Sequence, residues 1–254
     1  MKSLTHILQQ QKDQKKKLFI PYIMAGANGL ERLEEEIEML VASGASAIEL
    51  GVPFSDPVAD GPVIQLAGIQ SRKRGTTLNK LVKLLQNIHS PVPLILMGYA
   101  NSFFHYGMEK LLSDLSTTDV KGMIIPDLPY EHRDLFLIPA KASDIAFIQL
   151  VTLTSSDERI EQLVNDAEGF VYAVTINGIT GKNTQYQEKL YAHLKKITEK
   201  SPIPVLAGFG VSTAEHVTTF NQHCDGVIIG SYIVNLLDKK GIAVTQTKIK
   251  SLFN

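Results

Sequence analysis

The segment ELGVPFSDPVADGP, Glu49 to Pro62, carries three carboxylates, Glu49, Asp56 and Asp60. Glu49 stands out because Ile48, Leu50 and Val52 around it are apolar. On a strand that faces a barrel mouth, such a carboxyl is desolvated and its pKa rises. A carboxyl poised nearer neutrality can both give and take a proton. Turned outward, the same residue would cap a neighbouring helix or pair with a lysine, and the pattern alone leaves both readings open. Asp56 and Asp60 sit in a loop stiffened by Pro53, Pro57, Gly61 and Pro62. Asp60 is either a carboxylate held at a reaction site or the N-cap of a helix that opens at Pro62.

A second kind of chemistry is suggested by glycine. NGITG (Asn177 to Gly181), GFG (Gly208 to Gly210) and Gly230-Ser231 each follow a strand-like run. Glycine lets backbone N–H groups approach an anion, and Ser231 would open the helix SYIVNLL, whose N-terminus favours a phosphate. Each glycine also reads as a plain strand terminator; their recurrence at consecutive strand ends points to a phosphate site. The seven histidines lack zinc-ligand spacing, so no metal is expected, and His132, His216 and His223 read as surface residues on or beside helices. Ser55-Asp56 lacks the context of an activated serine. Asp127, in IIPDLP, is placed to serve the site or a neighbouring subunit.

Positioning these groups falls to alternating strands and helices. Strand runs are LFIPYIM from Leu18, SAIELGV from Ser46, PLILMGY from Pro93, GMIIPD from Gly122, AFIQLV from Ala146, FVYAVTI from Phe170, IPVLAGF from Ile203 and GVIIGS from Gly226. Several are apolar without alternation, as expected of strands covered on both faces. Leu30, Leu33, Ile37, Leu40 and Val41 form one apolar helical stripe, and Leu78, Leu81, Val82, Leu84, Leu85 and Ile88 another. Asn28 before Glu31, Ser155 before Glu158 and Ser212 before Glu215 have capping-box spacing. Pro139 should end or kink the helix it sits in. Polar residues around Gln246 should lead into a last helix ending near Phe253. Eight strands each followed by a helix predict a (β/α)8 barrel, an α/β fold, with MKSLTHILQQQ as an extra N-terminal helix over the barrel bottom. The rival, an open doubly wound sheet, often shows a GxGxxG turn after its first strand, and none is present.

The chain has 254 residues, a formal net charge of −1 and one cysteine, Cys224. These values suit one barrel domain over 1–254 with no intrachain disulfide, and they give no sign of a nucleic-acid or membrane surface. Lys15-Lys16-Lys17 reads as a solvated connection. The N-terminus lacks a continuous apolar h-region and no apolar run is long enough to span a bilayer, so a cytoplasmic protein is expected.

The long segment from Glu49 to Pro62 resembles the signature of the tryptophan synthase α subunit family. IPYIMAG, GYANSFFHYG, IIPDLPYE, GITG, AGFGVS and IGSYIV follow in the family's order, so the resemblance covers nearly the whole chain. It implies a (β/α)8 barrel that cleaves indole-3-glycerol phosphate to indole and glyceraldehyde 3-phosphate without a cofactor of its own. By this resemblance Glu49 is the general acid/base, and Asp60 holds the indole N–H and stabilises charge on the ring. Tyr22, Met97, Tyr99, Ile124 and Tyr172 would line the indole pocket. Gly181, Phe209, Gly210, Gly230 and Ser231 would bind phosphate, and Thr180 would belong to a closing loop that orients the carboxylates. The expected partner is a β subunit carrying pyridoxal phosphate, in an α2β2 heterotetramer, with Pro53, Asp56 and Asn101 near the interface and Phe103 and Phe104 beside them.

The chain departs from the family's pattern after its first strand. MAGANG stands where relatives often have a threonine and an Asp-Pro pair, so Met24, Ala27 and Asn28 lack the usual polar partners of the closing loop; Ile176 stands where many have arginine. These departures predict weak loop closure in the lone chain and strong dependence on the partner. A stand-alone indole-releasing lyase and a non-catalytic barrel that only activates a β subunit are the competing readings. Intact Glu49 and Asp60 speak against the second.

Overall fold

The protein, described here from a computed structural model, is followed over residues 1–175, 184–208 and 210–253, with backbone alone at 184–186. The strands are β1 (Leu18–Met24), β2 (Ile48–Gly51), β3 (Leu94–Met97), β4 (Val120–Ile124), β5 (Ala146–Phe147), β6 (Gln149–Thr152), β7 (Val171–Val174), β8 (Val205–Gly208) and β9 (Gly226–Ile229). The helices are α1 (Ser3–Asp13), α2 (Leu33–Ala42), α3 (Pro62–Lys73), α4 (Leu78–Leu85), α5 (Ala100–Tyr106) and α6 (Met108–Leu115). They continue with α7 (Asp134–Ala140), α8 (Asp157–Asn165), α9 (Thr184–Lys200), α10 (Ala214–His223) and α11 (Ser231–Lys250).

All pairings are parallel, in the order β5-β4-β3-β2-β1-β9-β8-β7-β6. The two ends of that order are consecutive in the chain, so the sheet is a barrel. The expected run AFIQLV divides at Ile148: β5 pairs with β4 and β6 pairs with β7. The cause lies across the wall. β4 stops at Ile124, and Pro126 two residues later has no N–H to extend the ladder.

Strand alternation divides the apolar residues into two layers. Ile20, Tyr22, Ile95, Met97, Phe170 and Leu206 face inward in one cluster. Phe19, Ile23, Ile48, Leu50, Leu94 and Val205 face outward, packed with the helices in another. The two apolar stripes behave as their spacing requires: Leu33, Ile37 and Leu40 are buried on α2, and Leu78, Leu81, Val82 and Leu85 on α4. Helix α1 closes the bottom, with Leu4 and Leu8 buried in the inner cluster and Thr5 Oγ1 accepting the Gly169 N–H at 2.7 Å. Lys15, Lys16 and Lys17 are exposed, as expected.

Three helix starts differ from expectation. Ser156, not Ser155, caps α8, and Thr213, not Ser212, caps α10. Ser155 is engaged elsewhere: its hydroxyl accepts the Thr152 N–H at 3.2 Å, on the strand that lost its β4 neighbour. Asn28 caps nothing; its amide donates to Glu36 Oε1 at 2.8 Å. Pro139 lies inside α7, and the helix ends one residue after it, in line with the expected break. The last helix differs too: α11 is broken at Gly241 (φ 73°), and Gln246 lies inside its second half rather than ahead of it. Among the described residues no helix is long and apolar enough to cross a membrane.

Candidate active site

Glu49 lies on the inner face of the barrel. Its neighbours Ile48 and Leu50 belong to the outer layer and Ala47 to the inner one, so alternation turns Glu49 inward. That settles the alternative left open by the sequence. Register places it between Tyr22 and Ile95 on the flanking strands. Its side chain is fully buried, and among the described residues neither carboxyl oxygen has a hydrogen-bond partner. Burial first, and the neighbouring Asp60 second, raise its pKa to about 8. The group therefore carries a proton at neutral pH.

Asp60 stands in the loop that follows β2. The helix-cap reading fails: Gly61 occupies the N-cap of α3 without a side-chain cap, and Pro62 takes the first helical position. The Asp60 carboxylate instead accepts the Tyr99 hydroxyl at 3.2 Å. Half-burial raises its pKa to about 6, and the Tyr99 bond pulls the other way. Glu49 and Asp60 thus occupy different charge states at pH 7, one neutral and one anionic, the arrangement acid–base chemistry requires of two carboxyls in one site.

One cavity brings together Tyr22, Glu49, Asp60, Met97, Tyr172, Gly210, Gly230 and Ser231. Two aromatic walls depend on glycine. A Cβ at Gly51 would collide with the Tyr22 hydroxyl, and one at Gly208 with the Tyr172 ring. Burial, then the carboxyls nearby, holds both phenols well above their usual pKa. Ser231 begins α11 at the cavity rim, which aims the first N–H groups of that helix at the space. No lysine or arginine is present among the described lining residues.

Ile124 and Tyr99 do not line this cavity. Ile124 is buried in the inner cluster and pairs in register with Met97, which does line it. Tyr99 stands behind Asp60. Gly61, Ile64, Val211 and Ile228 also line the cavity and were not foreseen. For Ile228 the signal was present, since it lies two residues before Gly230 on an inward-facing strand; for Ile64 it required knowing how α3 turns. Ile176, Asn177, Thr180, Gly181 and Phe209 lie outside the described residues.

The other predicted residues lie outside the described lining, on the β2–α3 loop, on α5, after β4 and at the end of β1. Asp56 is exposed and accepts the Ser55 hydroxyl at 2.6 Å, Asn101 is exposed and Pro53 half-buried. The pair Phe103 and Phe104 divides: Phe103 is core, while Phe104 is 69% exposed. Asp127 takes a local task, its Oδ1 accepting the Ala100 N–H at 2.9 Å at the start of α5. Met24 and Ala27 are buried at the end of β1 and the turn after it.

Known proteins resemble the chain in sequence and in fold. A family model described as "Tryptophan synthase alpha chain" matches residues 8–253. A curated protein of that name from Streptococcus sanguinis is 51% identical over 245 residues, 96% of this chain and 95% of its own length. Another from Listeria innocua is 52% identical over 218 residues, 86% of this chain and 85% of its own. The crystal structure of tryptophan synthase subunit alpha from Legionella pneumophila superposes with a TM-score of 0.89 at 28% identity, over 99% of this chain and 97% of that one. The subunit alpha structure from Campylobacter jejuni gives 0.87 at 30% identity, over 96% and 98%. On a match this long, joined to a barrel with an acid pair at its mouth, the chain belongs to the tryptophan synthase alpha chain family.

Proposed function

We propose that the chain is the lyase subunit that cleaves indole-3-glycerol phosphate to indole and glyceraldehyde 3-phosphate. The observation that carries this reading is the pair of carboxyls in one cavity, Glu49 protonated and Asp60 ionised at neutral pH. Carbon–carbon cleavage leaves a poor carbanion on the indole ring unless C3 first receives a proton. Glu49 gives that proton to C3. The ring then carries positive charge at its nitrogen, and Asp60 accepts the N–H and stabilises it. Glu49, now a carboxylate, takes the proton of the glycerol hydroxyl as the C–C bond breaks. The bonding electrons return to the ring, and the aldehyde forms. Glu49 ends protonated, so the cycle closes without a cofactor.

Tyr22, Met97 and Tyr172 suit a flat apolar ring, with Ile124 packed beside them and Tyr99 behind Asp60. Gly210, Gly230 and the start of α11 at Ser231 offer backbone N–H groups to a phosphate, which suits a lining without cations. Gly181 and Phe209 are assigned to the same phosphate site, and Thr180 to the loop that closes it, by resemblance.

Indole passes to a β subunit that carries pyridoxal phosphate, in an α2β2 assembly in the cytoplasm, with residues 1–254 acting as one domain. Val58 on the β2–α3 loop and Phe104 on α5 are exposed apolar side chains close in sequence to Pro53, Asp56 and Asn101, which suits an interface there. At the β1–α2 turn, Asn28 bonds to Glu36 instead of reaching toward the mouth. The lone chain is therefore expected to turn over slowly and to accelerate with its partner; equal rates would remove that dependence. The deciding measurement is indole release from indole-3-glycerol phosphate by the native chain and by Glu49→Gln. A loss of at least ~10²-fold is expected, and undiminished activity overturns the role of Glu49.

A further inference from the structure

One residue ties down the loop between β2 and α3. The ring of Tyr99 stacks on Phe54 at the start of that loop, with centroids 5.0 Å apart and planes 19° from parallel. Its hydroxyl accepts the Ala59 N–H at 3.0 Å near the loop's end. The same hydroxyl reaches Asp60 Oδ2 at 3.2 Å. A phenol has one proton to donate. With the Ala59 N–H on a lone pair and an acceptor-only carboxylate in reach, that proton goes to Asp60. The phenol is itself well anchored. Tyr99 is buried and immediately precedes α5, whose first N–H is held by Asp127 at 2.9 Å.

We infer that Tyr99 is the positioning residue for Asp60: its hydroxyl fixes one carboxylate oxygen, favours the anion and leaves the other oxygen for the N–H of the substrate ring. The inference rests on the role proposed above for Asp60. Across the cavity Asp60 faces Glu49 on β2, Tyr22 on β1 and Tyr172 on β7, and Asp127 lies toward the far side of Tyr99. None of these is a cation. Burial drives the Asp60 pKa up, and the Tyr99 bond is what lowers it. Without that bond Asp60 would hold its proton closer to neutrality, and the ring nitrogen would lose its counter-charge.

The sign follows from the two roles. Activity needs Asp60 ionised, so it falls as pH drops through the Asp60 pKa. It needs Glu49 protonated, so it falls as pH rises through about 8. Tyr99→Phe keeps the ring that stacks on Phe54 and removes only the hydroxyl. The acid limb should move up by about one to two pH units, the worth of a hydrogen bond to a charged group. The working window narrows from below and its maximum moves upward.

The experiment measures indole release against pH for the wild-type chain with its β partner, Tyr99→Phe, Asp60→Asn and the double variant. A carbon-13 carboxyl titration of Asp60 in the wild-type chain and in Tyr99→Phe runs beside it, independent of turnover. The expected result is a loss of roughly 5- to 50-fold at pH 6 that recovers to within a few-fold at pH 8. The Asp60 resonance should titrate correspondingly higher, the Tm should be nearly unchanged, and the double variant should behave like Asp60→Asn. An unmoved acid limb and an unmoved Asp60 titration in Tyr99→Phe overturn the inference, as does a uniform loss at every pH. If Asp60→Asn itself keeps full activity, the role of Asp60 falls, while the titration alone still decides whether Tyr99 sets its charge.

Discussion

The two ends of the barrel solve the same packing problem with opposite chemistry. At the bottom, Gly122 and Gly169 leave room for the Leu4 side chain of α1, and Leu4 and Leu8 fill the space completely. At the top, Gly51 and Gly208 leave room for Tyr22 and Tyr172, and the space between them holds a buried carboxyl with no hydrogen-bond partner among the described residues. The inward positions of one wall are thus used twice, for close packing below and for a buried, protonated carboxyl above. The bottom end serves stability. The top end gives some of it up, since a buried ionisable group without a partner costs free energy.

Four measurements would sharpen or break this contrast. The largest effect belongs to Glu49→Gln, with the ~10²-fold or greater loss of indole release already stated. The same change should stabilise the fold. Folded Glu49 keeps its proton up to about pH 8, whereas the unfolded chain releases it in the ordinary carboxylate range. Between those limits the folded state binds more protons, so stability is fullest below the ordinary range and falls as pH rises toward 8. Glu49→Gln should remove that loss, on the order of 4 kcal/mol at pH 8 and little at pH 4.5. A thermal melt series across pH reads it, and a Tm gain independent of pH would contradict the poised-acid reading.

Next, Leu4→Ala should cost about 2–5 kcal/mol in denaturant unfolding, the range for emptying a filled core site. Its kcat should stay within a few-fold of wild type; a collapse of kcat in a variant that remains folded would mean that the two ends are coupled. Gly208→Ala should push Tyr172 into the cavity and cost about 1–3 kcal/mol in substrate affinity, seen as a raised KM. Tight binding retained in that variant would show that the ring has room to turn. The smallest effect is expected from Thr5→Val, which strands the Gly169 N–H for about 1–2 kcal/mol of stability and leaves activity alone.

Much of this contrast was readable in advance. The strand runs and their order follow from unbroken apolar segments, and the N-terminal helix from its position ahead of the first strand. Glu49 was visible as a charge in an apolar strand, but its direction depended on which layer Ile48 and Leu50 join, a tertiary fact. The identity of the capping residues was out by one at α8 and α10 because adjacent hydroxyls share the same composition signal. The Thr152 N–H, by engaging the Ser155 hydroxyl, decides that Ser156 is the one free to cap. Phe103 and Phe104 looked alike in sequence, and helical rotation alone sends one to the core and the other to solvent. The resemblance puts Tyr99 on the pocket wall; that its hydroxyl also meets the Ala59 N–H and the Asp60 carboxylate is visible only in the fold.

The change of partner at Ile148 gives the cylinder a slit. Below that residue the hoop is continuous through β4 and β5; above it, β6 holds only to β7, and a cleft lined by Pro126, Tyr130, Leu150 and Ser155 opens between the two edges. A split tube widens at its cut before its wall stretches. A bulky ring entering from the top would therefore displace the rim at this slit, where no ladder bond has to break. Backbone amides of Leu150 to Thr152 should exchange with solvent sooner than those of Ile48 to Leu50 on the unbroken side.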